Sequence, residues 1–212
     1  LARIAHSHGA IFHTDAVQTV GHIEIDVKAL GVDMLSASAH KFNGPKGIGF
    51  LYIKKGINVK PFMDGGSQEN GLRAGTENAA AIIGMAVSLE KNCLKLRENC
   101  EYIQQLSEKM VSELKRLVKK FLILGDRTRV PGIVSLAFPN IEGEIILHRL
   151  DLMESYISTG SACDSKNTQI SHVIRAMKID TDYALGTIRI SLGKNNTIDE
   201  VITLTKQIST IL

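Results

Sequence analysis

The stretch Ser36-Ala37-Ser38-Ala39-His40-Lys41-Phe42-Asn43-Gly44-Pro45-Lys46-Gly47-Ile48-Gly49 decides how the chain is to be read. It runs small residues into a His-Lys pair and then into a glycine-rich turn. Met34-Leu35-Ser36-Ala37 reads as the end of a short buried strand, and Ile48-Gly49-Phe50-Leu51-Tyr52-Ile53 reads as the next one. Lys41 is thereby expected on a loop at a strand end. Ligands of open α/β sheets bind outside such ends, and a glycine-bracketed loop lets backbone N–H groups approach an anion closely.

A lysine is often only a solvated surface charge. Near its ordinary pKa of about 10.4 it is protonated at neutral pH and is no nucleophile. Desolvation or neighbouring cations must lower that value before an imine can form. His40 and Lys46 are the nearest candidates in sequence, and Ser36 and Ser38 offer hydroxyls for a phosphate. The order Gly44-Pro45-Lys46-Gly47 does not fit a P-loop. A Schiff-base lysine beside a phosphate cradle fits better.

Composition is compatible with an enzyme of this kind. A chain of 212 residues, 44% hydrophobic and 22% charged, can bury one large or two small cores and is not expected to be disordered. The formal charge of +3, with no basic cluster, gives no case for nucleic acid. With no long apolar run and no signal-peptide pattern, no membrane association is expected and a cytoplasmic location is the default. Three cysteines, few and odd in number, suit a reducing compartment. The sequence opens on Leu1 rather than Met, and Leu1 to His6 reads as the tail of a helix already under way, so the start is expected to have been cut.

Outward from the central stretch, Ala10 to Thr14 is an apolar run ending at Asp15, again a strand end. Asp15 could simply cap the following turn. His13 reads as a satisfied strand histidine. His6 and His8 have nothing to complete a ligand set, so no metal is assigned. Asp26 to Gly31 reads as a short capped helix, and strand-helix-strand implies a parallel crossover. Pro61 to Gly75 is long for a mere connection, and such loops are usually functional or disordered. Thr76 reads as an N-cap for a helix beginning near Asn78.

Helices are expected over Asn78 to Leu89 and Leu94 to Lys120. In the second, Ile103, Leu106, Met110, Leu114 and Leu117 mark a core-facing stripe. Cys93 and Cys100 lie in this region and read as inert. Phe121 to Leu124, Ile133 to Phe138 and Ile188 to Leu192 read as strands, Glu142 to Leu150 as a helix, and Thr197-Ile198-Asp199-Glu200 as a capping box opening a helix to Leu212. This order suggests an α+β domain over 96–212, after a sheet-forming part over 1–95. Within it, Ser158 to Thr168 is almost free of large apolar residues and is expected to be a mobile loop. Cys163 therefore reads as an accessible, reactive thiol, although Asp164 tends to raise its pKa. Arg189, in an alternating strand, is either a surface ion pair or a two-pronged clamp for a carboxylate.

Ser38 to Gly49 resembles the cofactor-lysine motif of the NifS-like cysteine desulfurases, class V, fold-type I pyridoxal-phosphate enzymes. The resemblance continues through His13-Thr14-Asp15-Ala16-Val17-Gln18, Arg73-Ala74-Gly75-Thr76, Ser158-Thr159-Gly160-Ser161-Ala162-Cys163 and Ile188-Arg189-Ile190-Ser191-Leu192-Gly193, in family order. It spans essentially the whole chain but corresponds to the C-terminal part of such an enzyme. The implied fold is α/β: the C-terminal part of a mostly parallel-sheet large domain, followed by a small α+β domain.

The resemblance also implies roles. Lys41 would carry pyridoxal 5'-phosphate and then act as base. Asp15 would pair with the ring nitrogen and Gln18 with the ring hydroxyl, with Ser38 and His40 as further cofactor ligands. Thr76 would reach the phosphate of the other subunit, Arg189 would bind the α-carboxylate of L-cysteine, and Cys163 would receive its sulfur as a persulfide. A homodimer and a sulfur-acceptor or scaffold protein follow, serving Fe–S cluster assembly or tRNA thiolation. The family usually has Ser where this chain has Thr159 and a neutral residue where it has Asp164, which bears on rate rather than on chemical class. A selenocysteine lyase or aminotransferase of the same class would share Lys41 and Asp15 but need not share Cys163. A folded or dimerising module without activity is the other alternative, because a ring-stacking histidine and further cofactor contacts come from the family's N-terminal half.

Overall fold

The computed structural model describes residues 1–126, 128–159 and 170–212. They form two compact units, Leu1–Glu98 and Asn99–Leu212.

The first unit opens with helix α1 (Ala2–Ser7), strand β1 (His13–Asp15), helix α2 (Val27–Leu30) and strand β2 (Met34–Ser38). Helix α2 begins and ends where the sequence places it. Asp26 Oδ1 accepts from the N–H groups of Lys28 and Ala29, and Gly31 closes the turn with φ +66°, the left-handed conformation glycine adopts without strain. Strands β1 and β2 are parallel, with Asp15 opposite Ser36. Strand β3 (Gly49–Ile53) pairs with β2 antiparallel, Ser38 opposite Gly49. The described sheet, ordered β1-β2-β3, is therefore mixed. No crossover helix separates Ser38 from Gly49, so β3 has to turn back rather than run parallel.

Between β2 and β3 the expected open loop is a 3-10 turn, Ala39–Phe42, closed by Asn43 at φ +65°. Alternation along β2 sends Leu35 and Ala37 into a core with Ala39 and Phe42, against which Met85 and Leu89 of helix α3 (Ala79–Leu94) pack. Ser36 and Ser38 point to the opposite face of the sheet. Helix α3 is capped by Asn78, whose Oδ1 accepts from Ala81 N–H, so the capping role expected of Thr76 falls two residues later. The helix also continues to Leu94, beyond the expected Leu89. Neither glycine nor proline stands between those positions to end it.

Asp33, 4% exposed, ties this unit together. Its Oδ2 accepts from Phe12 N–H at 2.9 Å and from His6 Nε2 at 2.7 Å, and its Oδ1 from Lys54 Nζ at 3.4 Å. One carboxylate thus joins α1, the entry to β1 and the exit from β3. The Phe12 amide first, then the His6 hydrogen bond, hold its pKa well below the ordinary 3.8, at about 2. A depressed folded pKa means that the contribution is fully present above 3.8 and is lost as pH falls towards about 2. Asp33→Asn should therefore melt below the wild type at neutral pH, with the gap narrowing through that window. Thermal unfolding across the acid range measures this, and a gap that stays constant would refute it.

The second unit is built around helix α4 (Leu96–Leu117), most of which it contains, and a sheet ordered β4-β5-β6. Strands β4 (Leu122–Leu124), β5 (Ile133–Ala137) and β6 (Thr187–Ser191) are antiparallel throughout. Leu106, Met110 and Leu114 of the expected stripe are fully buried and pack with Val134 and Leu136 of β5. Each such burial contributes about 1.5–3 kcal/mol. Leu117, the last residue of the stripe, is only partly buried at the helix end. Helices α5 (Gly143–Asp151) and α8 (Ile198–Ile211) cover the same core. The Thr197–Glu200 capping box is formed in both directions. Two short helices not foreseen, α6 (His172–Ala176) and α7 (Thr181–Ala184), begin at the side-chain caps Ser171 and Asp180. No helix among the described residues is long and apolar enough to cross a membrane.

Candidate active site

Parallel pairing brings the C-terminal ends of β1 and β2 side by side. Asp15 is the last residue of β1, Ser38 the last of β2, and the 3-10 turn with His40 and Lys41 follows at once. The register puts Asp15 beside Ser36, and Ser38 lies two residues further on the same face. Asp15 is exposed; Ser36, Ser38 and Lys41 are half-buried. One sheet face thus gathers a carboxylate and hydroxyls, next to a turn bearing an imidazole and an amine.

The hydrogen bonds refine this picture. Asp15 Oδ1 accepts from Val17 N–H at 2.9 Å, so the carboxylate does brace the following turn, on which Gln18 is exposed. Its second oxygen has no such tie among the described residues. Ser38 Oγ and His40 Nδ1 lie 2.8 Å apart, which aligns hydroxyl and imidazole with each other. Among the described residues Lys41 makes no ion pair. His13, expected as a satisfied strand histidine, is in β1, but its ring is exposed and has no hydrogen-bond partner among the described residues.

The backbone under Lys41 is anchored from outside the turn. Its carbonyl meets His22 Nε2 at 2.7 Å, and the carbonyl of Phe42 accepts from the buried Asn92 Nδ2 at 2.6 Å. Local sequence gives no sign of either contact.

Thr76 lies in the same unit, exposed, beyond a loop that closes on itself. In that loop Met63 bridges to Arg73, and Gly75 N–H donates to Gln68 Oε1 at 3.2 Å. Asn78, not Thr76, caps the helix that follows.

In the second unit Arg189 sits in β6 and is partly buried. Two backbone hydrogen bonds pair it with Ser158, and its Nη2 donates to Ser158 Oγ at 3.3 Å. Its Nε is buried and has no hydrogen-bond partner among the described residues. An unmet donor on a guanidinium is costly unless something supplies an acceptor. The surface ion pair weighed for Arg189 is not formed among the described residues. Ser158 is a contributor that reading for reactive groups overlooks; its place in the Ser158–Cys163 motif is the signal. Cys163 itself, with Asp164 and the rest of 160–169, lies outside the described residues. Cys93 is exposed on α3, and burial followed by Glu101 pushes the Cys100 thiol up, away from reactivity. No group of three His, Cys, Asp or Glu among the described residues could hold a metal ion.

The donor set suits pyridoxal phosphate. A carboxylate at one strand end can pair with a pyridinium nitrogen, a lysine at the next can hold the aldehyde carbon, and hydroxyls with an imidazole can take the phosphate.

The sequence profile of the family described as "Aminotransferase class-V" matches residues 1–204. "Cysteine desulfurase IscS" of Dictyoglomus turgidum is 45% identical over 202 residues, covering 95% of this chain and 51% of that protein. A solved "NifS-like protein" superposes with a TM-score of 0.88 at 39% identity, over 99% of this chain and 55% of its own. The structure titled "SspA in complex with cysteine" gives 0.73 at 32% identity, over 92% of this chain and 54% of its own. The chain spans about half the length of the curated relatives it matches.

Proposed function

The chain belongs to the class V aminotransferases, and on that premise we propose that the full-length protein is a cytoplasmic, homodimeric cysteine desulfurase using pyridoxal phosphate. It converts L-cysteine to L-alanine and passes the sulfur, as a persulfide on Cys163, to an acceptor or scaffold protein for Fe–S cluster assembly or tRNA thiolation. The relatives named cysteine desulfurase support the substrate. The observation that carries the reading is the donor set at the paired ends of β1 and β2. Residues 1–95 are then the C-terminal part of the cofactor-binding large domain and 96–212 the small domain, a division supported by the compact units meeting at Glu98 and Asn99.

When bound, pyridoxal phosphate supplies an electron sink for charge developing at the substrate's α-carbon. This chain's residues do the rest. Asp15 holds the ring-nitrogen proton, Gln18 the ring hydroxyl, Ser38 and His40 the phosphate, and Thr76 serves the phosphate of the other subunit's site. Arg189, whose Nε has no hydrogen-bond partner among the described residues, clamps the α-carboxylate. Lys41 Nζ takes the α-proton. The Cys163 thiolate attacks the substrate sulfur, so that an S–S bond forms, the substrate's C–S bond breaks, and the electron pair stays on carbon, which is protonated to give alanine.

Purified full-length protein given pyridoxal phosphate and L-cysteine should release alanine in equal amount to the sulfur recovered as protein persulfide and, with a thiol reductant, sulfide. Amino transfer to a 2-oxo acid without alanine release from cysteine would make it an aminotransferase instead. Turnover of selenocysteine alone would make it a selenocysteine lyase.

A further inference from the structure

The turn that carries Lys41 cannot hold itself. Four residues are too few for cooperative helix formation, and 3-10 hydrogen bonds are poorly aligned. The last carbonyls of any helical turn lack partners within it. Here the carbonyl of Ala39 accepts from the Asn43 and Gly44 amides, that of Lys41 is met by His22, and that of Phe42 accepts from Asn92. A carbonyl can only accept, so His22 Nε2 carries the proton in this contact.

The two side-chain anchors come from different places. Asn92 belongs to α3 and is buried, fixing the turn to the core. His22 belongs to the segment that leaves β1 through Asp15 and Gln18. Gly21 lets that segment come close: its φ is +77°, and a Cβ there would stand 2.8 Å from Phe42 Cβ. His22 therefore links the carboxylate that faces one end of the proposed cofactor to the lysine that faces the other.

We propose that His22 is a positioning residue for Lys41, setting the Lys41 backbone relative to Asp15. This rests on the reading of Lys41 as the cofactor lysine. A hydrogen bond to the main-chain carbonyl fixes where the side chain starts and leaves its methylene chain free to swing, as a lysine that both holds a cofactor and moves a proton requires.

The test uses full-length protein carrying His22→Phe, which keeps a ring but has no donor, and His22→Gln, which restores an N–H. Two rates are read at Lys41 by mass spectrometry: borohydride trapping of pyridoxal phosphate, and acetylation of the cofactor-free protein by acetic anhydride. Thermal melting checks the fold. His22→Phe should slow trapping by roughly tenfold and change the acetylation rate, since misplacing a reacting group by ~1 Å can cost about a hundredfold. His22→Gln should recover most of the loss. If phenylalanine is not accommodated, His22→Ala removes the donor without adding bulk. Wild-type trapping in the donor-free variants, or equal loss in His22→Gln, would overturn the inference while leaving the functional reading intact. Trapping of the cofactor on a lysine other than Lys41 in the unaltered protein would instead remove the functional reading.

Discussion

Full-length protein carrying Cys163→Ser should still take up L-cysteine, with the spectral response of its bound cofactor intact, yet release alanine at least about a thousandfold more slowly. That figure is conservative beside the losses other enzymes suffer when their nucleophile is removed. Substrate activation and sulfur transfer are separate tasks. On the proposed reading Lys41, Asp15 and Arg189 would bind and deprotonate the substrate, and none of them is altered. Breaking the C–S bond needs a nucleophile that sulfur will accept, and a serine hydroxyl is far weaker in that role than a thiolate. The experiment adds L-cysteine to the variant, follows the absorbance, and assays alanine together with protein-bound persulfide. Wild-type alanine release would remove Cys163 as sulfur acceptor and move the protein towards a different lyase of the same class.

How much of this was legible depended on the range of each signal. Helix α2 was readable because Asp26 and Gly31 mark both of its ends within a few residues, and α8 because Thr197 and Glu200 satisfy each other locally. The strand before Lys41 was readable as a short buried run through Met34-Leu35-Ser36-Ala37, and the structure adds the alternation that points its serines away from the core. The turn itself was not, since four residues hold no period. Helices α6 and α7 escaped for the same reason. Thr76 and Asn78 are both capping types two residues apart, and only the helix geometry chooses between them.

The site divides in the same way. Asp15, Ser38, His40 and Lys41 announce themselves at strand ends, where the chain must stop and polar residues have no packing task. Their supports do not. His22 acts over 19 residues, Asn92 over 50 and Ser158 over 31, and each is an ordinary polar residue until the fold delivers its partner. Asp33 passes for the start of a strand, although it joins three elements and is nearly buried. The direction of β3 was likewise set by the length and kind of its connection to β2 rather than by its own residues.

Lys41→Ala should have the other large effect, and for two separable reasons. Removing the amine removes the only group assigned to take the α-proton, a loss of about a hundred- to ten-thousandfold from proton transfer alone. It also removes the covalent attachment of the cofactor, so borohydride should no longer fix pyridoxal phosphate to the peptide containing residue 41. The fold should survive. Ala39 and Phe42 form the buried part of the turn, Lys41 is only half-buried, and the contacts to His22 and Asn92 are made to backbone carbonyls that alanine also possesses. Melting close to that of the wild type is therefore expected alongside the lost activity. A small primary amine supplied in solution should restore part of the proton transfer, but weakly, because a tethered group acts at an effective concentration that free amine cannot reach. Borohydride-stable cofactor still attached to Lys41→Ala, or unimpaired alanine release from it, would take the cofactor away from this turn altogether.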